Sequence, residues 1–135
     1  MIKEYCLPIR VYVEDTDAGG IVYYANYLKY IERARTELIR TLGYDKPALF
    51  DGLQFVVHSV NIKYCQPAIL DDEVVATAKL IHVSRTSFTI AQKVLRGNDV
   101  LVEAEVKVAC INHEEKRPKA IPADMLQTLK AAVQE

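Results

Sequence analysis

The stretch Asn26-Tyr27-Leu28-Lys29-Tyr30-Ile31-Glu32-Arg33-Ala34-Arg35-Thr36-Glu37-Leu38-Ile39-Arg40-Thr41-Leu42-Gly43 decides what this chain folds into. Tyr27, Ile31, Ala34, Leu38 and Leu42 recur at steps of three and four, so a helix from Asn26 to Leu42 carries them on one face. Lys29, Glu32, Arg33, Glu37 and Arg40 cover the rest of the circumference. Gly43 supplies a stop signal that tolerates the left-handed conformation.

Around this helix the pattern changes to the two-residue period of strands. Residues 4–13 place Tyr5, Leu7, Ile9, Val11 and Val13 at alternate positions. After the helix come strand-like runs at 54–65, 73–83, 86–96 and 100–111. They are separated by Pro67 to Asp72, by Ser84-Arg85, and by Gly97-Asn98-Asp99, which reads as a hairpin turn. The last run sets Val102, Ala104, Val106, Val108 and Cys110 against Leu101, Glu103, Glu105 and Lys107, as in an antiparallel sheet with one solvated face. Pro122 with Asp124 predicts a short final helix. One long helix and five antiparallel strands predict an α+β fold, a single domain over residues 1–135, with a curved sheet wrapped around the helix.

Composition narrows the function. With 17 basic against 18 acidic residues, net charge −1, there is no electrostatic case for bulk nucleic-acid or membrane binding. No apolar run approaches the ~18 residues of a membrane span. Met1-Ile2-Lys3-Glu4-Tyr5 carries charges where a secretory leader needs its hydrophobic segment, so a cytoplasmic location is expected. Cys6, Cys65 and Cys110 are odd in number, widely spaced and without a metal-ligand pattern, which predicts reduced structural thiols. His58, His82 and His113 are scattered, and none stands beside a nucleophile in sequence.

There is no Gly-x-Ser-x-Gly elbow, phosphate loop, dinucleotide fingerprint or zinc motif. The unusual segment is Glu14-Asp15-Thr16-Asp17-Ala18-Gly19-Gly20-Ile21-Val22-Tyr23-Tyr24-Ala25-Asn26-Tyr27. Three carboxylates within four positions precede two glycines and a helix start. Glycines let the backbone turn sharply and approach a ligand. Free amides at a helix N-terminus hold developing negative charge. Read from residues alone, the segment is a solvated turn with Asp15 or Asp17 bonded to nearby amides, a catalytic carboxylate beside an oxyanion site, or a divalent-metal site.

The motif Asp15-Thr16-Asp17-Ala18-Gly19-Gly20-Ile21-Val22-Tyr23-Tyr24, followed by Asn26-Tyr27 and Glu32-Arg33-Ala34-Arg35, resembles the hydroxybenzoyl-CoA thioesterase family. It is most similar to that family's Tol–Pal-associated acyl-CoA thioesterase branch. The resemblance continues through Ser84-Arg85-Thr86-Ser87-Phe88 and from Arg117-Pro118 to Ile121-Pro122. It implies the hot-dog fold, a homodimer or homotetramer with active sites at subunit interfaces, hydrolysis of acyl-CoA thioesters, no cofactor and no metal.

Carried over position by position, the resemblance implies Asp17 as the catalytic carboxylate, general base or nucleophile. It also implies the backbone amide of Tyr24 as the donor to the thioester carbonyl. Gly19 and Gly20 shape the turn, Ile21 and Val22 line the acyl pocket, and Asp15 supports the loop. Ser84, Arg85 and Thr86 are implied as contacts to the nucleotide, with Lys116, Arg117 and Lys119 as further phosphate partners. The chain departs from the branch in having Tyr24 where His is usual and Val13 where Tyr is frequent. A histidine-assisted mechanism therefore cannot operate at position 24. Two rivals stand beside hydrolysis. One is a non-catalytic module binding acyl-CoA or acyl-carrier protein; the other is a hydratase of the same fold, disfavoured because residues 14–27 contain no His.

Overall fold

The periodicities sort the chain into β1 (Tyr5–Arg10), α1 (Asn26–Thr41), β2 (Leu49–Phe50), β3 (Leu53–Tyr64), β4 (Glu73–Val83), β5 (Ser87–Arg96), β6 (Asp99–Asn112) and α2 (Ala123–Ala131). The computed structural model describes residues 4–44, 49–50 and 52–133. One antiparallel sheet runs in the order β1-β4-β5-β6-β3-β2. The five expected strands are present, and the two-residue β2 adds a sixth by pairing with the start of β3. The sheet wraps α1, the hot-dog arrangement.

The helix lies over β1, β4 and β5. Its apolar stripe is buried as the spacing predicts: Tyr27, Ile31, Ala34 and Leu38, joined by Tyr30 and Ile39. They meet Val74, Ala76, Ala78 and Leu80 of β4 and Ile90 and Val94 of β5, all buried. Gln92 of β5 is a buried polar pin. Its amide nitrogen donates to the Ile31 carbonyl at 2.7 Å and the Thr77 carbonyl at 3.1 Å, and its oxygen accepts from Arg35 at 3.0 Å. Helix and sheet are thus tied by directional bonds as well as apolar burial.

Two boundaries and one expectation about side-chain burial differ from the sequence reading. The first strand ends at Arg10 rather than at residue 13, because the Asp15 carboxylate accepts the Tyr12 amide at 2.8 Å and closes Val13–Asp15 into a 3-10 turn. Val13 accordingly faces solvent. The β5–β6 hairpin is tighter than expected: Arg96 pairs with Asp99 across Gly97-Asn98, and Gly97 takes φ +61°. The cysteines are free, but only Cys110 is buried, so the structural-thiol expectation does not extend to the exposed Cys6 and Cys65. The C-terminal helix is present, with Met125 and Leu129 buried against the body of the protein.

Among the described residues the helices lie mainly over the β1-β4-β5 half of the concave face. Val57, Val60 and Tyr64 of β3 pair with the buried Val108, Val106 and Val102 and therefore point to the same side, yet they are 46%, 40% and 42% exposed. The outer edge of β3 is covered by β2 only at Leu53 and Gln54.

Two tyrosines of α1 differ in one respect that stability measures. The Tyr27 hydroxyl accepts the buried Ala68 amide at 2.9 Å, whereas the Tyr30 hydroxyl is buried with no hydrogen-bond partner among the described residues. Tyr27→Phe is predicted to cost about 1–3 kcal/mol by orphaning a buried amide, and Tyr30→Phe, which orphans no backbone group, is predicted to cost less. Urea unfolding midpoints compare them, and equal losses would contradict the assignment.

Candidate active site

Residues 16–22 form a tight hairpin. Thr16 bridges Val22, the Asp17 amide donates to Ile21 at 2.9 Å, and the Gly20 amide donates to the Asp17 carbonyl at 3.0 Å. Gly20 closes the turn at φ +82°, a conformation that a side chain would strain. The Asp17 carboxylate folds back over the turn and accepts the Gly19 amide at 2.8 Å. A Cβ on Gly19 would stand 3.3 Å from that same oxygen, so glycine keeps the carboxylate's approach clear. The second Asp17 oxygen has no protein partner among the described residues and faces solvent.

Asp15 does different work. One oxygen accepts the Tyr12 amide and the other accepts the Asn26 side chain at 2.6 Å, while its carbonyl accepts the Tyr23 amide at 2.9 Å. This one residue bolts the turn to the first turn of α1. Buried Tyr30 stands beside Asp15 and Asn26. Burial, with the Asp15 carboxylate nearby, pushes its phenol above the usual tyrosine range.

The α1 N-terminus has Ala25 at its cap position and no side-chain cap. The amides of Asn26, Tyr27 and Leu28 turn back onto Tyr23, Tyr24 and Ala25. Those of Tyr24 and Ala25 donate to nothing among the described residues, so two N–H groups at the positive end of a helix remain free for an acceptor. Beside them is an apolar cleft of about 260 Å3, lined by Ile21, Val22, Tyr24, Tyr27, Tyr64 and Pro67 among others. Tyr24 meets Tyr64 edge-on at 6.0 Å, and Tyr27 lies 5.8 Å from the same ring. A carboxylate, free helix-terminal amides and an apolar hollow are the parts that hydrolysis of an activated acyl group requires.

Comparison with known proteins agrees with that combination. The model of the thioesterase superfamily matches residues 19–103. The acyl-CoA thioesterase YbgC of Haemophilus influenzae is 41% identical over 123 residues, covering 90% of each chain. The crystal structure of a probable thioesterase from Bartonella henselae is 36% identical with a TM-score of 0.79, over 90% of this chain and all of that one. The chain belongs to the thioesterase superfamily. A DHNA-CoA thioesterase from Staphylococcus aureus shares the fold at 18% identity, with a TM-score of 0.86 over 96% of this chain and 91% of that one.

In this thioesterase the candidate residues fall into two groups. Asp17, Gly19, Gly20, Ile21, Val22 and Tyr24 lie together at one end of the sheet. Ser84, Arg85 and Thr86 lie at the other end, where the Arg85 carbonyl accepts the Ile121 amide at 2.9 Å and the Lys119 amide donates to Cys110 at 3.0 Å. Lys116 reaches Gln54 there at 3.1 Å. Arg85, Lys116, Arg117 and Lys119 therefore gather near the start of β3, while Tyr64 at its finish touches Tyr24. A twelve-residue strand spans roughly 35 Å, so one chain does not bring the cationic cluster to Asp17.

The sequence reading did not identify Tyr64 and Pro67 as the far wall of the cleft. The available signal was an aromatic residue ending a strand directly before a proline turn. The histidines are exposed and lie on β3, β4 and the loop after β6, away from the hairpin. Among the described residues, no group of three or more His, Cys, Asp or Glu is placed to hold a metal ion, and no helix is long and apolar enough to cross a membrane.

The loop carrying Pro67 is anchored by Asp72, which accepts the Ile69 amide at 3.0 Å and Arg96 at 2.8 Å. Partial burial raises the Asp72 carboxyl, but the Ile69 amide and Arg96 outweigh it and hold the pKa below its ordinary 3.8. A depressed native pKa contributes stability that is complete above the unfolded value and lost as pH falls through the native one. Wild type is therefore predicted to lose stability below about pH 4 more steeply than Asp72→Asn, as read from thermal midpoints across the acid range. Parallel acid profiles would remove this anchor from the account.

Proposed function

We propose that this thioesterase hydrolyses acyl-coenzyme A thioesters to free acid and CoA, with Asp17 as its catalytic carboxylate. The observation that carries the reading is the free amide of Tyr24 at the uncapped start of α1, next to a carboxylate held by its own glycine turn. The thioester carbonyl accepts from the Tyr24 amide, which stabilises the oxyanion as the carbon becomes tetrahedral. Asp17 takes a proton from the attacking water; the C–S bond then breaks and that proton leaves with the CoA thiolate. Nucleophilic attack by Asp17 gives the same products through an anhydride that water opens. Both routes consume only water, so no cofactor enters. Ile21 and Val22 contact the acyl group, and Gly19 and Gly20 set the approach. The phenol of Tyr24 is not required.

The working unit in this reading is a pair of chains joined along β3, acting in the cytoplasm. Among the described residues β3 has no partner on its outer edge from Phe55 to Tyr64, and an unpaired edge with exposed apolar neighbours favours a second strand. Antiparallel self-pairing centred between Ser59 and Val60 places Phe55 of one copy beside Tyr64 of the other. Arg85, Lys116, Arg117 and Lys119 of the second copy then approach the first copy's Asp17 hairpin, where the phosphates of CoA need cations. Ser84 and Thr86 supply hydroxyls on the same turn.

Asp17→Asn is expected to lower thiol release from a panel of acyl-CoAs by on the order of a hundredfold or more with an unchanged thermal midpoint. Activity matching wild type would remove Asp17 from the chemistry. In sedimentation the protein should run as an even multiple of the chain. Arg85→Glu should raise KM for an acyl-CoA by roughly tenfold but leave an acyl-pantetheine, which lacks the nucleotide, unchanged. A monomeric active enzyme, or equal effects on both substrates, would defeat the paired arrangement.

A further inference from the structure

A second hollow, of about 290 Å3, opens on the flank of α1 away from the Tyr24 cleft. Its lining includes Glu32, Arg35, Thr36, Phe55, Phe88 and Val108. The floor is apolar, with the Phe55 and Phe88 rings 6.1 Å apart. The helix side is polar, with Glu32, Thr36 and the half-buried guanidinium of Arg35. One of its N–H groups donates to Gln92. No carboxylate among the described residues comes within 4.0 Å of it. Glu32 also lines the hollow but is exposed. A guanidinium carries five donors in a planar fork that matches a carboxylate, and most of these are left without a protein acceptor.

One Arg35 N–H serves the fold as the donor to the buried Gln92 oxygen, and that bond leaves the rest of the guanidinium fork over. Gln92 reaches α1 independently through the Ile31 carbonyl at 2.7 Å, and burial lowers the Arg35 pKa against the opposing effect of the nearby Glu32 charge. An apolar hollow with an under-used guanidinium fits an acyl chain that ends in an anion.

The position of the hollow fits the same reading. Phe55 lies at the start of the free β3 edge and Tyr64 at its end, so pairing two copies along that edge brings each hollow beside the other copy's Tyr24–Tyr64 cleft. We propose that the hollow receives the distal end of the acyl group whose thioester lies at the other copy's Asp17, and that Arg35 selects acyl groups ending in a carboxylate. This rests on the thioesterase reading above and adds to it a substrate class, the CoA monothioesters of short dicarboxylic acids, and the residue that recognises them.

The experiment compares succinyl-, glutaryl- and adipyl-CoA with butyryl-, valeryl- and hexanoyl-CoA on wild type, Arg35→Met, Arg35→Lys and Asp17→Asn. Wild type should favour the best carboxylated substrate over its apolar match by at least about tenfold in kcat/KM. Arg35→Met should cost the carboxylated substrates at least about tenfold more in kcat/KM than their apolar matches, and Arg35→Lys should keep part of the preference. Mixed dimers of Asp17→Asn and Arg35→Met chains should recover glutaryl-CoA hydrolysis to about half the wild-type rate per dimer, because one of their two sites is intact only if the residues come from different chains. An apolar preference in wild type, equal losses on both series in Arg35→Met, or silent mixed dimers would overturn the proposal. If the Arg35 pattern appears but Asp17→Asn stays active, it is the Asp17 mechanism that fails instead.

Discussion

An α-helix about 10 Å across can cover only two or three strands spaced about 4.8 Å apart, and this sheet has six. Much of the architecture follows from that mismatch. The helix takes the β1-β4-β5 half, where small residues of β4 (Ala76, Ala78) let it sit close. The concave face of β3 is left with Val57, Val60 and Tyr64 substantially exposed, and its outer edge is largely unpaired. The cleft beside Tyr24 and the hollow beside Arg35 both lie along the border between the covered and uncovered halves.

Holding the helix in place over such a sheet takes more than apolar contact, which is non-directional. Gln92 fixes the middle of α1 through the Ile31 carbonyl, and Asp15 fixes its start through Asn26. The two pins have different consequences. The first sets where the helix lies on the sheet. The second sets where the Asp17 hairpin lies relative to the helix N-terminus, because the residue that anchors the 3-10 turn also grips the first helical residue. Catalytic geometry is sensitive to displacements of the order of an ångström, which gives a structural reason for a carboxylate at position 15.

Much of this was legible in the sequence. The α1 stripe from Tyr27 to Leu38 and the alternation in β6 depend on local periodicity alone, and both appear as read. The overrun of the first strand to residue 13 has a specific cause: Val11 and Val13 continue the alternation, but Asp15 captures the Tyr12 amide and breaks the strand. No propensity reports that bond. The Asp17 motif was legible because its glycines and carboxylates are adjacent in sequence. The Tyr64–Pro67 wall and the Gln92–Arg35 pair were not, because residues 40 to 60 positions apart become neighbours only through sheet register. Arg85 is expected from the resemblance to contact the nucleotide, and its place at the opposite end of the sheet from Asp17 follows from the direction in which β4 runs, which no local pattern reports.

The choice between an enzyme and a binding module of the same fold turns on the sign of one charge. Coenzyme A is polyanionic, and a site shaped only to hold its thioesters gains nothing from an aspartate beside the carbonyl. The hairpin instead spends a positive-φ glycine on closing its turn and keeps Gly19 free of a Cβ that would crowd the carboxylate. Next to it, the amides of Tyr24 and Ala25 are left without acceptors, a cost that an acceptor arriving with the ligand can offset. In the proposed mechanism Asp17 takes a proton from water and the positive helix end receives the oxyanion. They cooperate only when a water is being activated and a carbonyl is becoming tetrahedral between them, which is the arrangement expected of a surface complementary to a transition state rather than to a bound ligand.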